Sequence, residues 1–325
     1  MWNAAGPDEY LARAVISARS ARSGGVAEVL AESRGDFGLR AWRSQVLGSA
    51  CTDTDVVERW LRESPRDPDA LLLYARTAVA RALRSADKGD RRWEELASMA
   101  RRACMAAIDA APQDPTPLVT LLSLARLRHM PQPDPAGRAD VQGPWDLFDQ
   151  VRALDPLHRE GHLRFLHCLD SDTAMLNFAI HIANSTPLDS DPQLLMLVAQ
   201  AEHYRAQRDR AEASAEPEPE PELGHGHGQE SADEEWRSER VLRFSLDLHE
   251  LWFPKARERR FVPIVDFSYL AHALWAGGRP QQARDVLRAM EPYAVPQPWS
   301  LFGDPERVLL DARTQCRLGP RPGGP

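Results

Sequence analysis

Residues Phe267 to Met290 read FSYLAHALWAGGRPQQARDVLRAM, and the fold turns on their spacing. Apolar side chains at Phe267, Leu270, Ala271 and Leu274 recur at intervals of three and four, which is one face of a helix. Gly277-Gly278 stops that helix, because glycine takes the left-handed C-terminal conformation without a Cβ penalty. Pro280 then suits the first turn of a second helix, where its missing N–H is no loss. Ala283, Val286, Leu287 and Met290 form the apolar face of that second helix. The spacing predicts a helical hairpin with the small residues Ala271 and Ala283 at the close approach. A hairpin this thin cannot bury its apolar face alone, so it requires neighbours of the same kind.

The chain upstream supplies them. Pro7-Asp8 opens a helix to about Ser20, Gly24-Gly25 precedes a short one over Val26–Glu32, and Leu39, Trp42, Val46 and Leu47 mark a third. A repeating phrase follows: an apolar helix, a proline, Asp-Pro, and another apolar helix. Its copies run over Val56–Leu83, Ala100–Leu127, Trp145–Leu169 and, more loosely, Ala174–Tyr204. Proline disfavours the α conformation in the residue before it and presets φ for the helix after it. The aspartate can cap the exposed N–H groups of that helix and suits its dipole. Within these copies Asp-Pro falls at 67–68, 114–115, 155–156 and 191–192, at intervals of 47, 41 and 36 residues. The repeat is therefore degenerate, with connections of unequal length.

Composition narrows the class. At 325 residues, 43% apolar and 27% charged, the chain has the make-up of a globular protein. The net charge of −8 is concentrated: nine acids and no base lie between Glu212 and Glu235, and setting them aside leaves +1. No long-range field for nucleic acid or an anionic membrane follows from that balance. Cys51, Cys104, Cys168 and Cys316 are widely spaced, with no C-x-x-C, which suits free core thiols in a reducing cytoplasm. The N-terminus lacks the pattern of a signal peptide. The longest apolar stretch, Leu71–Leu83, is broken by Arg76 and Arg81 and reads as a core helix, not a membrane span.

The hairpin and its copies resemble the tetratricopeptide repeat. Leu270, Ala271, Leu274, Gly278, Ala283 and Leu287 carry the resemblance, and Pro65, Pro112 and Pro156 look like the closing proline of that repeat. Leu71/Tyr74/Ala75/Ala78, Leu118/Leu121/Leu122/Ala125 and His162/Phe165/Leu166/Leu169 fall where the family places its first-helix core. The upstream copies depart from the pattern: they lack the turn glycine, and His162 replaces an apolar residue. The resemblance implies an all-α, right-handed α-solenoid of helical hairpins over roughly residues 55–206 and 236–295. Family geometry would line its inner groove with Asp69, Leu72, Arg76, Val119, Ser123, Arg126, Glu160, Leu163, His167, Ser268, His272 and Trp275. Such a mixed surface suits an extended peptide or a helix, although the same residues could merely cover the core.

The expected organisation has five parts. Residues 1–54 form an N-terminal helical cap and 55–207 the degenerate repeats. Residues 208–235 form a disordered acidic Pro/Glu and Gly/His loop, too poor in apolar residues to offset the entropy of ordering. Residues 236–317 hold the last repeats and a closing helix in which Leu309, Leu310 and Ala312 cover the final hairpin, and 318–325 are a frayed tail. The acidic loop reads as an insertion within one hairpin, between the helix over 192–204 and that over 236–252, with a linker between separate domains as the alternative.

Chemistry-bearing patterns are sparse. His158 and His162 are one helical turn apart and could share a metal, with His167 and Cys168 nearby, but HREGH matches no zinc-protease spacing. His225 and His227 in the acidic loop lack a third fixed ligand. No nucleophile motif and no phosphate-binding glycine loop is present. The stretch FPKARERRF (Phe253–Phe261) offers Lys255, Arg257, Arg259 and Arg260 to the acidic loop, to an acidic protein or, less well, to nucleic acid. The reading these features support is a cytoplasmic, non-catalytic scaffold that binds a protein or peptide in the groove, with no cofactor, metal or membrane. The alternatives are an α-helical metal-dependent enzyme around His158/His162 and a regulator that contacts nucleic acid. Sequence leaves the partner's identity and the oligomeric state open.

Overall fold

The computed structural model describes residues 5–128, 132–137, 141–214 and 236–318, and these are almost wholly α-helical. They form two compact units that meet in sequence at Asp170/Ser171.

The first unit contains α1 (Glu9–Arg19), α2 (Gly24–Glu32), α3 (Phe37–Ala50), α4 (Val56–Glu63), α5 (Pro68–Asp87), α6 (Trp93–Ala110), α7 (Thr116–Arg128), α8 (Trp145–Leu154) and α9 (Arg159–Leu166). Between α7 and α8, Gln132–Pro133 pairs antiparallel with Gln142–Gly143, a small departure from an all-helical chain. Glycine is required at 143, because a Cβ there would sit 2.6 Å from the Phe165 ring.

The Asp-Pro phrases act as helix starts. The Asp67 carboxylate accepts the Asp69 N–H at 2.9 Å, with Pro68 as the first helical residue, and Asp114 accepts the Thr116 N–H at 2.8 Å. At Asp155-Pro156 the helix begins later. His158 is the cap there, its Nδ1 accepting the Gly161 N–H at 3.1 Å.

The N-terminal segment is more than a cap. Leu11, Leu30, Leu47, Val57 and Leu73 are fully buried in one cluster, so α1–α3 share a core with α4 and α5. Helix α3 packs along α5 and also touches α7 and α9. A second cluster joins α5, α6 and α7 through Val79, Ala100, Cys104 and Leu121. Every residue from Pro115 to Leu124 is buried, which makes α7 a central helix.

The second unit comprises α10 (Asp172–Ser185), a 3-10 turn (Asp191–Leu194), α11 (Leu195–Ser214), α12 (Glu239–Asp247), a π turn (Leu248–Trp252), α13 (Phe253–Glu258), α14 (Ile264–Ala276), α15 (Pro280–Met290), a 3-10 turn (Trp299–Leu301) and α16 (Pro305–Gln315). Helices α14 and α15 pack as the predicted hairpin, with Ala271 and Ala283 fully buried. Its turn is a Schellman motif: the Arg279 N–H donates to the Leu274 carbonyl at 2.8 Å, the Gly278 N–H donates to Trp275 at 3.0 Å, and Gly278 has φ +73°. The π turn precedes Pro254, whose ring would crowd the Glu250 carbonyl in a regular α-helix; widening the turn relieves that clash.

Two expectations need correction in this unit. Helix α11 runs to Ser214, seven residues into the segment expected to be disordered, and its hairpin partner is α10, not α12. The acidic segment is thus inserted within one compact unit but not within one hairpin; both α11 and α12 pack on α14. Residues 215–235, including His225 and His227, and the tail beyond Leu318 lie outside the described residues. In the closing helix Leu309 and Ala312 are buried as expected, whereas Leu310 is exposed.

Candidate functional site

Nine of the twelve predicted groove residues belong to the first unit and three to the second. In the first unit, α3 presents Arg40, Ala41, Ser44 and Gly48, spaced at three and four, to α5, α7 and α9. Arg40 pairs with Asp69 at 2.7 Å and with Asp114 at 2.5 Å, while Arg34 pairs with Asp69 from the other side. Burial works against the Arg40 charge, but Asp114 and Asp69 outweigh it and raise the pKa. Arg76 donates to both carboxylate oxygens of Glu160, at 2.8 and 2.7 Å, and to Ser44 Oγ at 3.1 Å. Gly48 allows this approach, since a Cβ on it would lie 2.6 Å from Arg76 Cβ. Arg164 adds a second cation to Glu160 at 2.9 Å.

The expected groove wall is therefore a closed seam over most of its length. Asp69, Leu72, Arg76, Val119, Ser123 and Glu160 are all buried, and the charged ones are ion-paired within the chain. Only Arg126 stands exposed, paired with Asp87 at 3.2 Å; Leu163 and His167 are half-buried. Asp69 is neutralised from α3 by Arg40, and Arg76 from α9 by Glu160. The partners Arg34, Arg40 and Ser44 escaped sequence reading because they are remote in sequence from the groups they meet: Arg34 lies 35 residues from Asp69, Ser44 lies 32 from Arg76, and Arg40 lies 74 from Asp114.

In the second unit Ser268 and His272 are fully buried and Trp275 is half-buried. Ser268 Oγ accepts the Trp299 indole N–H at 2.7 Å, and Trp275 donates to Gln315 Oε1 at 2.9 Å. His272 stacks on Phe302 with centroids 4.0 Å apart and meets Trp236, Trp275 and Trp299 edge-on. Both of its ring nitrogens are buried without a hydrogen-bond partner, and burial holds its pKa down at about 3. An uncharged imidazole in an aromatic box is packing material, not an open groove wall.

The histidine pair around 158 is occupied in a similar way. His158 Nδ1 caps α9, and His162 Nδ1 lies 3.0 Å from the His158 carbonyl, edge-on to Phe148. The Cys168 thiol donates to the Leu122 carbonyl, and burial pushes its pKa up to about 12. Among the described residues no group of three or more His, Cys, Asp or Glu gathers in a way that could hold a metal ion. Burial likewise pushes Cys51 and Cys104 up to about 12, so neither is a ready nucleophile.

The basic stretch is partly spent inside its own unit. Lys255 pairs with Asp189 and Arg259 with Asp191, whose carboxylate also accepts the Trp252 indole N–H at 2.8 Å. The Lys255 hydrogen bond holds Asp189 below the usual carboxylate range. Arg257 lies over the Phe253 ring at 5.7 Å. These contacts clamp α13 to the turn before Pro192 and remove two of the four cations from any nucleic-acid footprint. Among the described residues no helix is long and apolar enough to cross a membrane.

One surface has a signal that sequence reasoning passed over. Met99 and Met105 on α6 are 41% and 45% exposed, with Arg101 and Arg102 between them. Exposed methionines beside adjacent arginines on an otherwise solvated face were legible in the sequence. No protein-family model matches the chain, and neither do any curated protein or solved structure.

Proposed function

We propose that this chain is a non-catalytic protein-interaction module of tetratricopeptide-like build, a right-handed α-solenoid of degenerate hairpins that binds a segment of a partner protein. The observation that carries the reading is neighbour-to-neighbour packing. In the first unit α5 contacts α6 and α7, and α7 contacts α8 and α9, the pattern in which each hairpin leans on the next. In this reading α3 fills the inner face in cis, so a partner engages surfaces left uncovered, among them Arg126, Leu163 and His167, and, in the second unit, Trp275. The four free cysteines fit a reducing cytoplasm. The partner is a protein or peptide; nucleic acid and membrane are not expected.

The test is in-cell photo-crosslinking of the full-length chain carrying a photoreactive residue in place of Arg126, with mass-spectrometric identification of adducts. A discrete protein adduct is expected. Labelling no stronger than that of an unrelated protein would refute the reading. The metal-enzyme alternative has the unpartnered Nε2 atoms of His158 and His162 in its favour. Stoichiometric zinc or iron in purified protein, lost on His162→Ala, would replace the scaffold reading with that one.

A further inference from the structure

Helix α6 is a ridge between two hollows of the first unit, the larger mostly apolar and the smaller mixed. On one side a hollow of about 340 Å³ has Leu61 and Pro65 on one wall, Leu71 and Tyr74 as its floor, and Met99 and Arg102 on the α6 wall. On the other side a smaller hollow of about 170 Å³ is lined by Leu121 and Leu124 of α7 and Leu147 of α8, with Arg101 at its edge. The larger hollow exists because α4 has 8 residues and α6 has 18, so α4 leaves part of the α5 floor bare beside α6. Consecutive residues on a helix diverge by about 100°, which is why Arg101 and Arg102 serve different hollows.

The two arginines differ from others on this hairpin. Arg76, Arg81 and Arg84 of α5 are ion-paired with Glu160, Glu58 and Asp53. Arg101 and Arg102 have no ion pair among the described residues and are exposed. Leucine-lined hollows with a free guanidinium each, joined by an adaptable methionine ridge, have the make-up of a protein-binding hot spot. A carboxylate is the natural complement, since it can take a guanidinium bidentately. Glu94 and Glu95, exposed on the same helix, weaken any polyanion field, and the larger hollow is mostly apolar, which favours a protein segment over nucleic acid.

We infer that the outer face of α6 is a docking surface for an acidic protein segment carrying bulky apolar side chains, which fill the two hollows while its carboxylates meet Arg101 and Arg102. This rests on the interaction-module reading and names the class of its partner. The test is to pan a displayed library of random 16-residue peptides on the full chain and to measure each enriched peptide by fluorescence anisotropy. The expected winners combine Asp or Glu with large apolar residues, and their affinity falls at least tenfold on Arg102→Glu and on Met99→Arg but not on Arg19→Glu. Both positions are exposed, so both variants should melt with the parent protein. Winners that bind those variants as tightly as the parent, winners that are basic, or no enrichment at all would each overturn the docking surface. None of these touches the broader reading, which stands or falls on the crosslinking at Arg126.

Discussion

Substituting Glu160 with glutamine keeps the shape of the side chain and removes the charge that joins α9 to α5. Glu160 and Arg76 are both only 5% exposed and share two hydrogen bonds. Burial by itself drives the Glu160 carboxyl upward, but Arg76 and then Arg164 outweigh it and hold the group at about 2, against 4.5 for a free glutamate. That difference corresponds to roughly 3 kcal/mol in favour of the folded state. The usual cost of breaking a buried pair by removing one partner, about 3–5 kcal/mol, agrees with it. For a unit of this size the melting temperature should fall by roughly 6–12 °C. The folded value lies below the unfolded one, so the stabilisation is complete above about pH 4.5 and is lost as pH falls toward 2. Glu160→Gln should show no such loss. Circular dichroism melts of the full chain, with hydrogen exchange read on α5 and α9, would measure both effects. The double variant Arg76→Met with Glu160→Leu should recover most of the stability, because an apolar pair of similar volume is often neutral in place of a buried ion pair. A Glu160→Gln melt within about 2 °C of the parent, well short of that fall, would refute the seam, as would a double variant no more stable than the single one.

Three further outcomes follow from the packing. His272 has a folded pKa of about 3 against 6.5 when free, so its contribution is complete above pH 6.5 and is lost as pH falls. Between pH 7 and 5 it should remove roughly 2 kcal/mol from the second unit, and His272→Phe should flatten that slope in urea titrations at the two pH values. His249, also lowered by burial, adds in the same sense. Gly48→Ala places a methyl 2.6 Å from Arg76 Cβ and 3.1 Å from its carbonyl carbon, and should cost about 1–3 kcal/mol by denaturant titration; a neutral result would mean α3 is seated more loosely on α5. Cys51, Cys104 and Cys168, pushed up to about 12, should resist iodoacetamide at pH 7.5 in the native protein and react fully in urea. Rapid native labelling of Cys51 or Cys104 would contradict its burial, and rapid labelling of the half-buried Cys168 would contradict its raised pKa.

Much of the helical architecture was legible in residues of short sequence separation. The α14–α15 hairpin follows from apolar residues at three and four, a glycine that accepts φ +73°, and a proline whose lost N–H is harmless. The Asp-Pro starts at 67 and 114 are equally local, because cap donor and acceptor lie two residues apart. The start at 155 failed by three residues because His158 competes for the cap, a choice settled by geometry between near-equal acceptors. The groove residues could not be placed from the repeat pattern, since that pattern states which side of a helix a residue is on but not what covers that side.

The amino-acid sequence on its own determined the helical class, the hairpin at 267–290 and the helix-start role of Asp-Pro, all of which depend on contacts within a few residues. Only tertiary structure decided that Arg40, Arg76 and Glu160 form a buried seam and that α11 turns back on α10. The reason is physical: a charge is tolerable inside only beside its opposite, and Arg76 finds Glu160 across 84 residues of chain. No spacing rule reaches that far, because the pairing is set by where whole helices come to rest.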